Sequence, residues 1–170
     1  MIIIVKYQKE RREYKKDQNG ELIYKIYIIS EEDSVCPVCI NELIVIGSRD
    51  RMLINDAGDI DILVIRRLRC TKCGKIHHEL PDMVIPYKRH CAETIEKIIS
   101  GNNDICCDFS TEHRIKTWWA AFYSYFESIK TSIKMKYNSI LSSELTPKKI
   151  ARTIANLNLW VHTRTTMTPV

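Results

Sequence analysis

Four cysteines in two closely spaced pairs are the residues best suited to chemistry in this sequence. The first pair is Cys36 and Cys39, and the second, after a gap of 30 residues, is Cys70 and Cys73. A Cys-x-x-Cys segment places two thiolates on one tight turn, and two such turns supply the tetrahedron of ligands that Zn²⁺ prefers. Because all four ligands are cysteines, the ion would have no open coordination position. The sequence therefore predicts one structural Zn²⁺.

Two alternatives to a metal site are four buried thiols and a redox-active pair. A thioredoxin-type site needs one Cys-x-x-Cys in a βαβ setting, whereas this chain has two pairs, which favours the metal. The gap exceeds the usual spacing of about 15–20 residues, so a long β-hairpin over residues 43–69 is expected to span it. Gly74 relaxes the turn after the second pair, and Ile40 is at the equivalent place in the first.

The remaining cysteines, Cys91, Cys106 and Cys107, share no such spacing. We expect them to be free buried thiols, since a free cysteine behaves as a small hydrophobic residue, and favour this over a second metal site. His77 and His78 follow the second pair closely. Local hydrogen bonding is the expected role of both histidines, and contact with a ligand or phosphate is the alternative.

The elements that must position these residues are predicted to be strands first and helices later. Strand-like runs rich in Ile, Val and Tyr occupy residues 2–7, 21–29, 43–47 and 60–69. The first two runs are expected to form a hairpin that packs against the zinc module, since Asn19-Gly20 favours a tight turn. Helical patterns occupy residues 91–100, 111–137 and 147–158.

These patterns predict an α+β protein: an N-terminal β-hairpin and an antiparallel zinc ribbon, followed by an α-helical region. The predicted segments are a hairpin at 1–33, a zinc ribbon at 34–86, a helical region at 87–137, and a C-terminal helix and tail at 138–170. Helix 91–100 and the start of helix 111–137 are a possible helix-turn-helix, although their connection is longer than the motif's tight turn. A helical hairpin is the alternative. In either arrangement Trp118 and Trp119 are expected in the core.

The charge permits a nucleic-acid partner without demanding one, because 26 Lys and Arg oppose 21 Asp and Glu. The basic residues are nevertheless clustered. Candidate DNA contacts are Arg49, Arg51, Arg66, Arg67, Arg69, Lys72, Lys75, Lys88 and Arg89, together with His113, Arg114, Lys116 and Thr117 from the long helix. The alternative is a solvated charged surface.

Charge placement separates DNA binding from a role as a protein-interaction adaptor. DNA binding predicts a common face for Arg66, Arg67, Arg69, Lys72 and Arg114. An adaptor predicts an exposed apolar patch, formed by residues such as Trp119, Tyr123 or Trp160. RNA is a third possible partner.

The sequence favours a binding protein over an enzyme. It has no glycine-rich phosphate loop, and the carboxylates at Asp56, Asp59 and Asp61 are expected in a surface turn. Too few residues follow the long helix for a transposase-type catalytic core with its metal-binding carboxylates. Neither a signal peptide nor a membrane span is expected, which predicts a cytoplasmic protein with reduced thiols.

Residues 34–90 resemble an uncharacterised zinc-ribbon family, common in Gram-positive bacteria. The resemblance rests on Cys36-Pro37-Val38-Cys39, on Ile46-Gly47-Ser48-Arg49, and on the runs 66–81 and 84–89. That family is similar to the N-terminal zinc-ribbon and helix-turn-helix regions of insertion-sequence transposases. The run 114–118 matches more loosely, and residues 138–170 match nothing named.

The resemblance implies DNA binding in a mobile-element context. The predicted function is thus that of a zinc-dependent DNA-binding protein of transposase-like type without a catalytic domain. It would act as a regulator or as a stand-alone DNA-recognition subunit. The alternative function is that of a zinc-ribbon adaptor for another protein.

Overall fold

A computed structural model describes residues 1–16, 18–102, 105–137 and 145–161 of the chain. The strands are β1 (Ile2–Val5), β2 (Tyr7–Lys16), β3 (Leu22–Ser30), β4 (Leu43–Ile54), β5 (Ile60–Cys70) and β6 (Ile76–Pro81). The helices are α1 (Ala92–Ser100), α2 (Phe109–Tyr137) and α3 (Pro147–Asn156). No helix within these residues is long and apolar enough to cross a membrane.

All six strands belong to one mixed sheet organised around β5. β4 pairs antiparallel with β5 along its whole length. On the other side of β5, β6 pairs antiparallel at Arg67–Arg69, and β3 pairs parallel at Leu63–Val64. β1 then runs parallel beside β6, and β2 runs antiparallel beside β3. The sheet therefore joins the N-terminal strands to the cysteine-bearing hairpin.

The predicted layout of hairpin, zinc ribbon and helix-turn-helix is wrong, and the N-terminal hairpin shows the first reason. The partner of β3 is the charged segment β2, whereas β1 lies beside β6. Ile3 and Ile4 of β1 are buried in different apolar clusters, so both faces of β1 are covered. Most of β2 is exposed, which explains how a strand without an apolar face accommodates so many charges.

The β4–β5 hairpin exists over nearly the range expected for the ribbon, but it is not a separate ribbon. Leu63 and Ile65 of β5 are buried in the same cluster as Ile4 of β1 and Ile28 of β3. The cysteine-bearing hairpin consequently shares its core with strands from the N-terminal segment.

The helical half of the molecule also differs from the predicted layout, which ended in a helix-turn-helix. Residues from all three helices pack in one core that includes Ile95, Trp118, Phe122 and Ile150. The connection from α1 to α2 passes against the β4–β5 turn, where a Cβ added to Gly58 would lie 3.1 Å from Cys106 Cβ. A three-helix packing with a long connection held on the sheet replaces the expected helix-turn-helix.

Helix α2 begins at Phe109, two residues earlier than predicted. Asp108 explains this start, because its Oδ1 accepts a hydrogen bond of 2.8 Å from the Thr111 N–H. Trp118 is buried in the helical core, and Trp119 is half-buried against it, as expected.

Helix α3 protects the outer edge of the sheet. Asn156 Nδ2 donates to the Ile4 carbonyl at 2.8 Å, and the Ile4 N–H donates to Asn156 Oδ1 at 2.7 Å. The side-chain amide thus replaces a neighbouring strand at β1, whose edge would otherwise be open to pairing with another chain. The predicted end of this helix at 158 is two residues too late, and residues 162–170 of the predicted C-terminal tail lie outside the described residues.

Candidate metal centre and cationic face

The two cysteine pairs lie on turns closed by equivalent backbone hydrogen bonds. In the first knuckle (residues 36–41), the Ile40 N–H donates to the Cys36 carbonyl at 2.8 Å, and the Cys36 N–H donates to Asn41. In the second knuckle (residues 70–75), the Gly74 N–H donates to the Cys70 carbonyl at 3.1 Å, and the Cys70 N–H donates to Lys75. Both turns also need positive φ at the residue after the second cysteine, +56° at Ile40 and +69° at Gly74.

The knuckles bring the four sulfur atoms together. All four Sγ atoms lie within 4.8 Å of one another, with 3.7 Å between Cys36 and Cys73 and 3.4 Å between Cys39 and Cys70. A tetrahedral Zn²⁺ with Zn–S bonds of about 2.3 Å places its sulfur ligands roughly 3.8 Å apart. The four cysteines therefore lie close enough together to bind a metal ion.

Backbone groups prepare one of these thiols for deprotonation. The Cys73 N–H donates to Cys70 Sγ at 3.4 Å, and this hydrogen bond is the main reason that the pKa of Cys70 falls to about 6. Burial, followed by the hydrogen bond shared with Cys70, raises the pKa of Cys39 to about 11. Cys70 accordingly loses its proton more readily than Cys39, and a bound cation would favour loss of the other protons.

His77 contacts a cysteine 41 residues away in the sequence, which the expectation of local hydrogen bonding did not identify. Its ring is fully buried, and Nε2 lies 3.4 Å from Cys36 Sγ. Burial lowers the pKa of His77, so the ring is neutral near pH 7 and can direct an Nε2–H toward the sulfur. Strand β6 follows the second knuckle directly, and this return of the chain places His77 beside the first knuckle.

The other three cysteines form no second cluster of metal ligands in the part of the chain that is described. Cys91 is buried, as expected for a small hydrophobic residue. Cys106 is exposed and Cys107 is half-buried, so the expectation of buried thiols is wrong for Cys106. Its place on the α1–α2 connection, rather than in a helix, explains the exposure.

The arginines of β5 are divided between the two faces of the sheet. Arg66 Nε lies 2.6 Å from Glu79 Oε2, and the Glu79 side chain is only 1% exposed. Ser34 Oγ donates to the other carboxylate oxygen. Arg66 therefore neutralises a buried carboxylate, and the expected common face with Arg67 and Arg69 is wrong, since neighbouring strand residues point in opposite directions.

Arg67 and Arg69 lie on the opposite face of the sheet. They are joined there by Arg49 and Arg51 of β4, which are directly across from the buried residues Ile65 and Leu63 of β5. We call these four arginines, Arg49, Arg51, Arg67 and Arg69, the cationic face. Within the described residues, none of the four forms a salt bridge.

Arg51 is a half-buried member of the cationic face. One of its terminal nitrogens donates to the Lys88 carbonyl at 2.8 Å, while its Nε is buried without a partner in the described structure. Burial, together with the charge of Arg49, lowers the pKa of Arg51. The bond to Lys88 joins the cationic face to the segment between β6 and α1.

The candidate DNA contacts on α2 differ in their surroundings. All four side chains, His113, Arg114, Lys116 and Thr117, are exposed. Lys116 pairs with Glu112, Thr117 donates to the His113 carbonyl, and Arg114 donates to Thr111 Oγ1 at 2.9 Å. Of these four, only Arg114 lines the open cavity that also contains Lys88 and Arg89. Lys72 and Lys75 are exposed on the second knuckle.

Fold and site together define an α+β protein with a six-stranded mixed sheet, three helices and a four-cysteine cluster able to bind a metal ion.

A family model described as a domain of unknown function (DUF6431) matches residues 36–118, slightly less than half of the chain. The match spans both knuckles, strands β4 to β6, α1 and the start of α2. No curated protein and no solved structure matches this chain. The resemblance to zinc-ribbon and transposase regions stays a prediction.

Proposed function

We propose that this protein is a zinc-stabilised DNA-binding protein without a catalytic domain. It would act as a regulator or as a stand-alone DNA-recognition subunit of a mobile element. The cationic face carries the proposal: four arginines project from two paired strands, and no carboxylate pairs with them in the described residues. Arginine binds phosphate through a planar fork of donors, and such contacts release counterions from DNA.

The metal has a definite part in this mechanism. The first knuckle precedes β4 and the second ends β5, so a Zn²⁺ bound by all four thiolates would clamp the end of the hairpin that bears the arginines. We therefore assign Zn²⁺ a structural role, in keeping with four cysteine ligands. Thiolate ligands require reducing conditions, consistent with the predicted cytoplasmic location.

DNA contact is proposed through the strands, not through a recognition helix. Arg49 and Arg69 are exposed, Arg67 is half-buried, and Arg51 is anchored at the Lys88 carbonyl. These side chains are suited to holding phosphates, which fixes the position of a protein on nucleic acid without reading its sequence.

A second candidate function is supported by apolar residues around the first knuckle. Val35, Val38 and Ile40 are 39–73% exposed. Such a patch is typical of a surface that binds another protein. The tryptophans first considered for this role, Trp119 and Trp160, pack against the helical core instead, and Tyr123 is 40% exposed.

The decisive experiment measures binding of zinc-loaded protein to a fluorescent duplex across a salt series. An Arg49→Gln/Arg69→Gln variant is compared with a Lys130→Gln/Lys134→Gln variant, which loses the same charge from α2, where Lys134 is exposed and Lys130 is half-buried beside Glu127. We expect steep salt dependence, with the logarithmic slope reduced by about 2 in the arginine variant only, since each phosphate contact contributes roughly 0.9.

Equal loss in the two variants would indicate non-specific charge attraction and contradict the assignment of the cationic face. No binding at low salt, with fold and metal intact, would favour the protein-adaptor function. A matched RNA duplex tests the third partner, because preference for RNA over DNA would redirect the proposal.

A further inference from the structure

An open cavity lies near the cationic face. The phosphate contacts proposed for the arginines on the sheet do not involve it. It has a volume of about 630 Å³ and lies between residues 87–90, the β4–β5 turn and the start of α2. Ligand sites commonly have volumes of about 300–1,000 Å³, with a few polar groups on partly apolar walls. The cavity is therefore large enough for a small ligand.

Three cations converge on this cavity, namely Lys88, Arg89 and Arg114. None of them has a carboxylate partner in the described residues; the Lys88 ammonium instead lies 3.9 Å from the centre of the Trp118 ring. The carboxylate lining the cavity belongs to Asp108, which already accepts hydrogen bonds from Ser110 and Thr111. Three cations against one engaged carboxylate favour an anionic ligand.

The rest of the lining supplies an aromatic ring and an unused polar group. Tyr87 is 58% exposed and has a φ of +63°. This φ is strained for an aromatic residue, and strained backbone positions are often found at binding sites. Ile54 and Ile115 add apolar wall. His90 Nδ1 is buried without a hydrogen-bond partner in the described structure. A ligand with a flat ring and a phosphate satisfies both kinds of lining.

We propose that this cavity binds a nucleotide through its phosphate, with Lys88, Arg89 and Arg114 contacting the phosphate and Tyr87 contacting the base. The nucleotide is free or is the 5′-phosphorylated end of a DNA strand. The inference rests on the proposed function and extends it, since the bond from Arg51 to the Lys88 carbonyl places the cavity next to the cationic face. Nucleic-acid bases stack well on tyrosine, largely without regard to sequence.

The test compares a 5′-phosphorylated DNA strand with the same strand ending in a 5′-hydroxyl, both labelled at the 3′ end. Zinc-loaded protein should bind the phosphorylated strand about tenfold more tightly, as expected when a charged group gains hydrogen bonds worth at least ~1.4 kcal/mol. Deoxyadenosine 5′-monophosphate should compete with this strand, and inorganic phosphate should compete less well because it has no base.

Three variants locate the effect. Arg114→Gln should abolish the preference for the phosphorylated end, whereas Lys116→Gln on the same turn of α2 should retain it. Tyr87→Asn should weaken competition by the mononucleotide, because asparagine accepts positive φ but has no aromatic ring.

A closed circular duplex, which has no ends, separates this inference from the proposed function. The cavity assignment alone would be overturned by three results together: the protein binds the circle, it binds the 5′-phosphorylated and 5′-hydroxyl strands with equal affinity, and mononucleotide does not compete. Equal competition by inorganic phosphate and mononucleotide would contradict the contact with the base. A mononucleotide that binds while the circle does not would support the cavity and contradict the cationic face. If a free mononucleotide binds and the two strands bind with equal affinity, the ligand of the cavity is the free nucleotide and not a strand end.

Discussion

The two knuckles have equivalent hydrogen bonds but different residues at the position of positive φ. The second has Gly74, which adopts this conformation without steric cost, whereas the first has Ile40, a β-branched residue that rarely does. Their surroundings also differ. The second knuckle connects β5 to β6 within the sheet, while the first follows a loop and is closed by a single bridge between Val35 and Glu42.

This difference indicates how the proposed metal centre would be assembled. The second knuckle follows from its own glycine and from strand pairing on both sides. The first contains local strain of about 1–2 kcal/mol at Ile40, which contacts elsewhere must offset. We infer that metal ligation and the His77 contact stabilise the first knuckle more than the second.

Removal of the metal should have the largest effect and should separate the knuckles. Structural Zn²⁺ binding can contribute about 10–16 kcal/mol, so chelation or Cys70→Ser should lower the thermal midpoint sharply. In metal-free protein, the Ile40 amide should lose protection from hydrogen exchange before the Gly74 amide does. Hydrogen-exchange NMR measures both, with zinc re-addition to the wild type as the control. Equal protection of the two amides would contradict the proposed asymmetry.

Replacement of His77 is expected to have the next largest effect. His77→Phe keeps an aromatic ring in the buried site but removes the ring nitrogen beside Cys36 Sγ. Loss of such a contact lowers metal affinity about 10–100-fold, which competition with a zinc chelator would measure. His78→Phe is the matched control, because His78 alternates to the other side of β6. An unchanged affinity in His77→Phe would show that the contact has only a packing role.

Replacement of Gly74 tests the unstrained knuckle. A Cβ added here would meet nothing within 4 Å, so Gly74→Val should be opposed by backbone strain alone. We expect the free energy of unfolding to fall by about 1–2 kcal/mol. Urea denaturation of zinc-loaded protein measures this change, and Lys72→Val, an exposed substitution in the same turn, controls for the added side chain. A loss no greater than that of Lys72→Val would argue against a need for glycine.

The sequence contained enough information for the knuckles because their signals are local. Two Cys-x-x-Cys spacings and the turn between two apolar runs predict the cysteine cluster and the β4–β5 hairpin without knowledge of the rest. The place of β1 was not predictable in this way. Its partner β6 is about 75 residues away in the chain, and the neighbouring run at 21–29 offered a shorter connection.

The position of Arg66 was predictable and was nevertheless misjudged. Consecutive residues of a strand point to opposite faces, so Arg66 and Arg67 cannot share one. Dense charge along a sequence therefore does not define a charged surface. The burial of Glu79, which gives Arg66 its role, depends on the pairing of β6 with β5 and was not visible beforehand.

The smallest expected effect is a gain in stability at the strained knuckle. Ile40→Gly relieves the steric cost of positive φ but also increases the entropy of the unfolded chain, so the free energy of unfolding should rise by about 0.5–1 kcal/mol. Ile40→Ala is the matched control, since it removes most of this exposed side chain and keeps the Cβ that opposes positive φ. Urea denaturation should therefore rank glycine above alanine and alanine close to wild type. If alanine gave the same gain as glycine, exposure of the isoleucine side chain, and not backbone strain, would be what distinguishes the first knuckle from the second.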